Sequence, residues 1–118
     1  MIDLYTVILI LWAHWIGDFI LQSDWHATNK SKHNGILLHH VACYSIPLTV
    51  IGFLVPINFA WILVNAIAHA VTDWCTSRVT SKLWVAGERH WFFVVIGLDQ
   101  SIHFTTLFAT YYWLCTTI

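Results

Sequence analysis

Charge is what this sequence has least of. Lysine and arginine number 5, aspartate and glutamate 6, in 118 residues, so 9% of the chain is charged. A soluble globular domain carries about 25%. Together with 58% hydrophobic residues, this deficit excludes an ordinary soluble domain and places the chain in the membrane class, as a single domain over residues 1–118. The formal charge of −1 excludes a nucleic-acid-binding surface. Cysteine is scarce as well. Cys43, Cys75 and Cys115 stand alone in apolar segments, with no Cys-x-x-Cys or zinc-finger spacing. A thiolate metal site is therefore not expected, and each cysteine reads as a small packing residue. The start, Met1-Ile2-Asp3-Leu4-Tyr5, lacks the basic region of a signal peptide, and Trp12, Trp15 and Phe19 make poor cleavage-site residues. That segment is expected to stay in the mature protein.

Apolar sequence of spanning length is abundant. Crossing the hydrocarbon takes about 20 residues, and four segments qualify, near 2–22, 36–55, 59–76 and 91–110. They predict an all-α fold, a four-transmembrane-helix bundle, with Pro47 as a kink in the second span. The polar connections 23–35 and 77–90 hold all 5 basic side chains. By the positive-inside rule these connections are cytoplasmic and both termini lie outside, in a plasma or inner membrane.

Within these apolar spans, polar residues recur in a pattern. His14 and Asp18, then His69 and Asp73, repeat histidine, three residues, aspartate, aromatic; Asp99 and His103 reverse the order at the same spacing. Four residues is about one helical turn, so each pair projects from one helix face. Spans one and three run parallel and carry the repeated pair near the same end, which suggests two helical hairpins related by a parallel repeat. Counted along a helix, Asp18, Asp73 and His40 lie roughly 5–6 Å inside the cytoplasmic boundary. His14, His69 and Asp99 lie roughly 11–12 Å in, and His103 roughly 18 Å. Every span thus delivers polar groups to one half of the bilayer, and satisfying them requires the helices to turn them toward each other.

An isolated His–Asp pair is often an interhelical hydrogen bond that holds a bundle together. Three pairs at matching depth point instead to a metal site. Imidazole and carboxylate suit Zn²⁺ first, with Mn or Fe as alternatives, and a cation offsets several buried aspartates at once. The candidate ligands are His14, Asp18, His40, His69, Asp73, Asp99 and His103, enough for one or two ions or for one ion with orienting partners. Gln22, Lys30, Arg78 and Gln100 are candidates to contact substrate or support the ligands. His26, His33 and His90 read as solvated, and His39 as interfacial.

The pattern His14-x-x-x-Asp18-Phe19-x-Leu21-Gln22 opens a series of ordered motifs. It continues with Trp25, Asn29 and Lys30, then Leu38-x-His40-x-x-x-Tyr44, His69-x-x-x-Asp73 and Asp99-Gln100-x-x-His103. In these residues, over nearly its whole length, the chain resembles a family of small bacterial and phage integral membrane proteins of unknown function. Members often carry a lysine soon after the third-span aspartate; here Cys75 and Thr76 precede Arg78. The His/Asp-rich helices are more loosely similar to membrane-bound metal-dependent hydrolases.

Three functions compete. The first is an intramembrane metal-dependent hydrolase acting on a lipid-linked phosphate or ester, with Asp99 or Asp73 catalytic and Lys30 or Arg78 receiving an anionic head group. The second is a metal or proton transporter, disfavoured because the outer halves of the spans offer no ionisable station beyond tyrosine. The third is a non-enzymatic interaction module with a structural polar core. Lipid is the expected environment in each case. Ala66-x-x-x-Ala70 allows close helix packing, within the chain or in a homo-oligomer.

Overall fold

Asp3 starts the first helix. Its carboxylate accepts the backbone N–H and the hydroxyl of Thr6, both at 2.9 Å, so it fills the role of an N-cap. In the computed structural model, which describes residues 1–116, helix α1 runs Leu4–Trp15 and continues as a π-helical turn, Ile16–Ile20. There follow a short α2 (Asp24–Asn29), then α3 (Asn34–Ile51), α4 (Phe59–Val85) and α5 (Arg89–Cys115). Among the described residues there are five α-helices and no strand.

α4 and α5 form the most extensive pair, α3 packs on α4, and α1 with its π turn packs on α3. Gly17 in that turn is buried. A Cβ there would stand 2.7 Å from the Tyr44 carbonyl oxygen and 3.1 Å from Tyr44 Cα. Only glycine permits so close a backbone approach. The π turn carries one more residue per hydrogen-bonded loop than an α-helix, which turns Asp18 inward beside the α3 side chains.

The interior has two zones. One is apolar: Ile10, Leu48, Trp61, Leu107 and Tyr111 are buried together, and the Trp61 indole N–H donates to the Leu107 carbonyl at 3.0 Å. The other holds His14, Asp18, His40, His69, Asp73, Asp99 and His103, all buried. The outside is greasy, with Ile8, Trp12, Val50, Ile67, Val71 and Ile102 among many exposed apolar side chains. α3 and α5 are long and apolar enough to cross a membrane. The apolar stretch Leu4–Ile20 is shorter. α4 has the length, but inward polar residues such as Asn65, His69 and Asp73 dilute its hydropathy.

Several details differ from the reading of the sequence. The first polar connection folds into α2, where His26 is buried rather than solvated. α4 continues through 77–85, read above as a connection, until Gly87 turns the chain at φ 76°. Ser77 and Thr80 face inward three residues apart, so the continuation keeps a packed side along the helix. α3 runs through Pro47. Cys75 is exposed, which removes a packing role for it, while Cys43 and Cys115 are half-buried.

Gly17→Ala forces the π turn off α3 and is expected to cost about 1–3 kcal/mol. Gly97 lies in α5 with nothing near its Cβ position, so Gly97→Ala should leave stability unchanged or raise it by up to about 1 kcal/mol. Thermal unfolding of both variants in detergent, followed by circular dichroism, checks the contrast.

Candidate metal centre

Each long helix supplies its polar groups one turn apart: His14 and Asp18 from α1 and its π turn, His40 and Tyr44 from α3, His69 and Asp73 from α4, and Asp99 and His103 from α5. Asp18, His40, His69 and Asp73 meet at the centre. His40 Nε2 lies 3.1 Å from Asp18 Oδ1, 3.2 Å from His69 Nε2 and 3.3 Å from Asp73 Oδ2. His69 Nε2 lies 3.3 Å from Asp18 Oδ1 and 3.4 Å from Asp73 Oδ2. Ligand atoms from all four residues fall within 4.8 Å of one another. A tetrahedral ion with bonds of about 2.0–2.1 Å holds its ligand atoms about 3.3–3.4 Å apart. Five of the six separations among these atoms are near that spacing, so this buried group could hold a metal.

A second layer surrounds them. His14 Nε2 is 2.7 Å from Gln100 Oε1, and the Gln100 amide N–H₂ donates to Asp18 Oδ2 at 3.1 Å and Asp99 Oδ2 at 3.0 Å. Because that amide oxygen only accepts, His14 carries its proton on Nε2 and accepts at Nδ1 from the Tyr44 hydroxyl, 3.2 Å away. His14 therefore stands one layer out, with its Nε2 3.8 Å from Asp18 Oδ2. His103 Nε2 bridges Asp73 Oδ1 at 3.2 Å and Asp99 Oδ2 at 3.1 Å. The Thr76 hydroxyl donates to Asp99 Oδ1 at 2.6 Å. The His69 ring is sandwiched between Tyr44 at 3.8 Å and His103 at 4.1 Å. Asp18, Asp99 and His103 make a further buried set of ligand atoms within 4.8 Å.

Lys30 reaches in from just beyond α2. Its ammonium donates to Asp73 Oδ2 and to Gln22 Oε1, each at 2.7 Å. Arg78 does not join them: it lies half-buried over the Trp74 ring at 4.1 Å and donates to Asn34. Asp73, Asp99, Lys30 and Gln22 face a cavity of about 550 Å³ between α2, α4 and α5. Its far wall is apolar, with Trp84, Phe92 and Ile96. Ser77 also lines it, with a buried hydroxyl that has no hydrogen-bond partner.

Tyr44, Thr76 and Ser77 were not singled out from the sequence as site residues. For Tyr44 a signal existed, since His40-x-x-x-Tyr44 has the spacing of the His/Asp pairs. Thr76 and Ser77 offered none, because polar hydroxyls at a helix end read as connection.

Tyr44→Phe deletes one buried hydrogen bond and should cost about 0.5–1.5 kcal/mol. Gln100→Leu strips donors from two buried carboxylates and should cost about 3 kcal/mol or more. Denaturant unfolding of the two variants side by side tests that order.

No curated protein and no solved structure matches the chain. A family model described as protein of unknown function (DUF3307) matches residues 6–118, and the chain belongs to that family.

Proposed function

We propose that this protein is a membrane-embedded, metal-dependent hydrolase acting on a lipid-linked phosphate or ester. The observation that carries the reading is the convergence of ligand atoms of Asp18, His40, His69 and Asp73, all within 4.8 Å of one another, beside an open cavity. Charge supports it. With neutral imidazoles, Asp18, Asp73 and Asp99 bring three negative charges and Lys30 returns one; a divalent cation offsets the remaining two. Such compensation is what buried carboxylates require. Two imidazoles and two carboxylates suit Zn²⁺, with Mn or Fe as alternatives.

In this reading α1, α3, α4 and α5 all cross the bilayer. The long axis of 47 Å compares with about 40–45 Å for a bilayer including head groups. The exposed apolar side chains would face lipid. Lys30, Lys32, Arg78, Lys82 and Arg89 lie toward one end, which the positive-inside rule makes cytoplasmic, with both termini outside. A path through the membrane is disfavoured, because Ile10, Leu48, Trp61 and Leu107 pack the other half with no measurable exposure.

A bound divalent cation would supply Lewis acidity at the junction of the cluster and the cavity. The remaining roles fall to the chain. Lys30, already paired with Asp73, receives the anionic group of the substrate. The apolar wall at Trp84, Phe92 and Ile96 accommodates its hydrocarbon. Asp99 takes the proton from the attacking water, because its side chain at 10% exposure is more open than that of Asp73 at 2%. His103, between Asp73 and Asp99, holds the base in place.

Purified protein should contain stoichiometric zinc by elemental analysis. Asp73→Asn and His40→Ala should each lose one equivalent of it, while His14→Ala loses none. Asp99→Asn should retain the ion while hydrolysis of phosphatidic acid or an acyl ester in mixed micelles falls about 10²–10⁴-fold. A wild-type protein without stoichiometric metal, whose stability chelators leave unchanged, sinks the proposal.

A further inference from the structure

Another group of metal-ligating atoms lies outside the buried cluster, where α2 meets α3. Its foundation is the capping box at the start of α2. Ser23 Oγ accepts the backbone N–H of His26 at 3.2 Å, and His26 Nδ1 sits 3.1 Å from the Ser23 backbone nitrogen and 2.9 Å from Ser23 Oγ. These contacts fix the imidazole by one nitrogen and leave Nε2 aimed at α3. On α3, His39 and Cys43 are four residues apart and so share a face. His26 Nε2 is 2.7 Å from His39 Nδ1, with the two rings stacked at 4.9 Å, and Cys43 Sγ is 3.9 Å from the same Nδ1. Ligand atoms from the three residues lie within 4.8 Å of one another.

We propose that His26, His39 and Cys43 form a second metal site, one that takes a thiophilic cation such as Zn²⁺. Imidazole with thiolate selects Zn²⁺ or Cu⁺ and rejects Mg²⁺ and Ca²⁺, which want oxygen. Binding needs a modest rearrangement. The two imidazole nitrogens move apart to about 3.3 Å, the sulfur closes in, and the Cys43 thiol proton leaves to solvent. His39 is exposed and Cys43 half-buried, so both have room to adjust. His26 Nδ1 accepts the Ser23 backbone N–H, so ligation through Nε2 moves the ring proton to Nδ1, where Ser23 Oγ, 2.9 Å away, accepts it in exchange for that backbone bond. Three protein ligands leave a fourth position open, as in sites that exchange a ligand rather than closed structural sites. The site adjoins the buried cluster, since the His26 ring lies 5.9 Å from that of His40. Its donor set nevertheless differs, and it stands whether or not the buried residues catalyse hydrolysis.

Cobalt separates the two sites. Co²⁺ bound by thiolate shows a near-ultraviolet charge-transfer band that a group of imidazoles and carboxylates cannot give. Titration of the full chain in detergent micelles should show two equivalents of Co²⁺ bound, one of them with that band. Cys43→Ser should abolish the band and leave one equivalent. His39→Ala, an exposed change that spares folding, should weaken the thiolate-bearing equivalent at least about tenfold. Asp73→Asn, which disables the buried group, should keep the band, and Cys75→Ser should leave it unchanged. No band in the wild type at excess Co²⁺ overturns the site and leaves a His26–His39 hydrogen bond. A band that survives Cys43→Ser overturns it too, by assigning the thiolate elsewhere.

Discussion

Three carboxylates buried among apolar helices set the terms for the rest of this structure. Asp18, Asp73 and Asp99 come from three separate elements and are all buried. An ionised carboxylate away from water is tolerated only when paired and hydrogen-bonded. Each has therefore recruited partners. Asp18 takes His40, His69 and Gln100; Asp73 takes Lys30 and three histidines; Asp99 takes Thr76, Gln100 and His103. No helix can leave the bundle without stranding a charge, so the cluster specifies how the helices assemble.

That demand explains the local irregularities. Gly17 is where the backbone must come close enough for Asp18 to reach His40, and the π turn at that place re-aims the aspartate. The aromatic rings are used in the same spirit. Tyr44 stacks on His69 while its hydroxyl orients His14, so one residue of α3 fixes histidines from two other helices. The opposite half of the interior needs no such devices, and it is filled by aliphatic and aromatic packing.

The same asymmetry bears on function. The polar half opens into a cavity whose walls change from charged to apolar; the apolar half is closed. Under the proposed function, a cavity on one side of a closed apolar half suits chemistry on an amphiphile better than passage of an ion. Asp73 and Lys30 belong to the cluster and to the cavity wall alike, so events at the ligands and at a bound head group would be felt together.

Much of this was legible in the chain. Helical periodicity placed His and Asp on common faces, and scarcity of charge marked the apolar segments, because both depend only on spacing and composition. Periodicity could not rank the residues by distance. His14 and His69 have the same sequence context, yet His69 lies in the central group and His14 is turned outward by the acceptor oxygen of Gln100. Lys30 and Arg78 read alike as basic residues beside a span; a reversal of the chain after the π turn sends the first inward, while the helical phase of α4 leaves the second outside. The segment 77–85 looked like connection because of its polar residues, and it is helix because its inward face packs. His26, His39 and Cys43 were read as three unrelated residues, since His26 lies on another helix and meets the His39–Cys43 face only through a tertiary contact. The sequence by itself determined which faces are polar, through the fixed geometry of the helix. Which polar atoms touch was decided by the tertiary structure alone, because contacts across helices depend on the rotation and closeness of each pair.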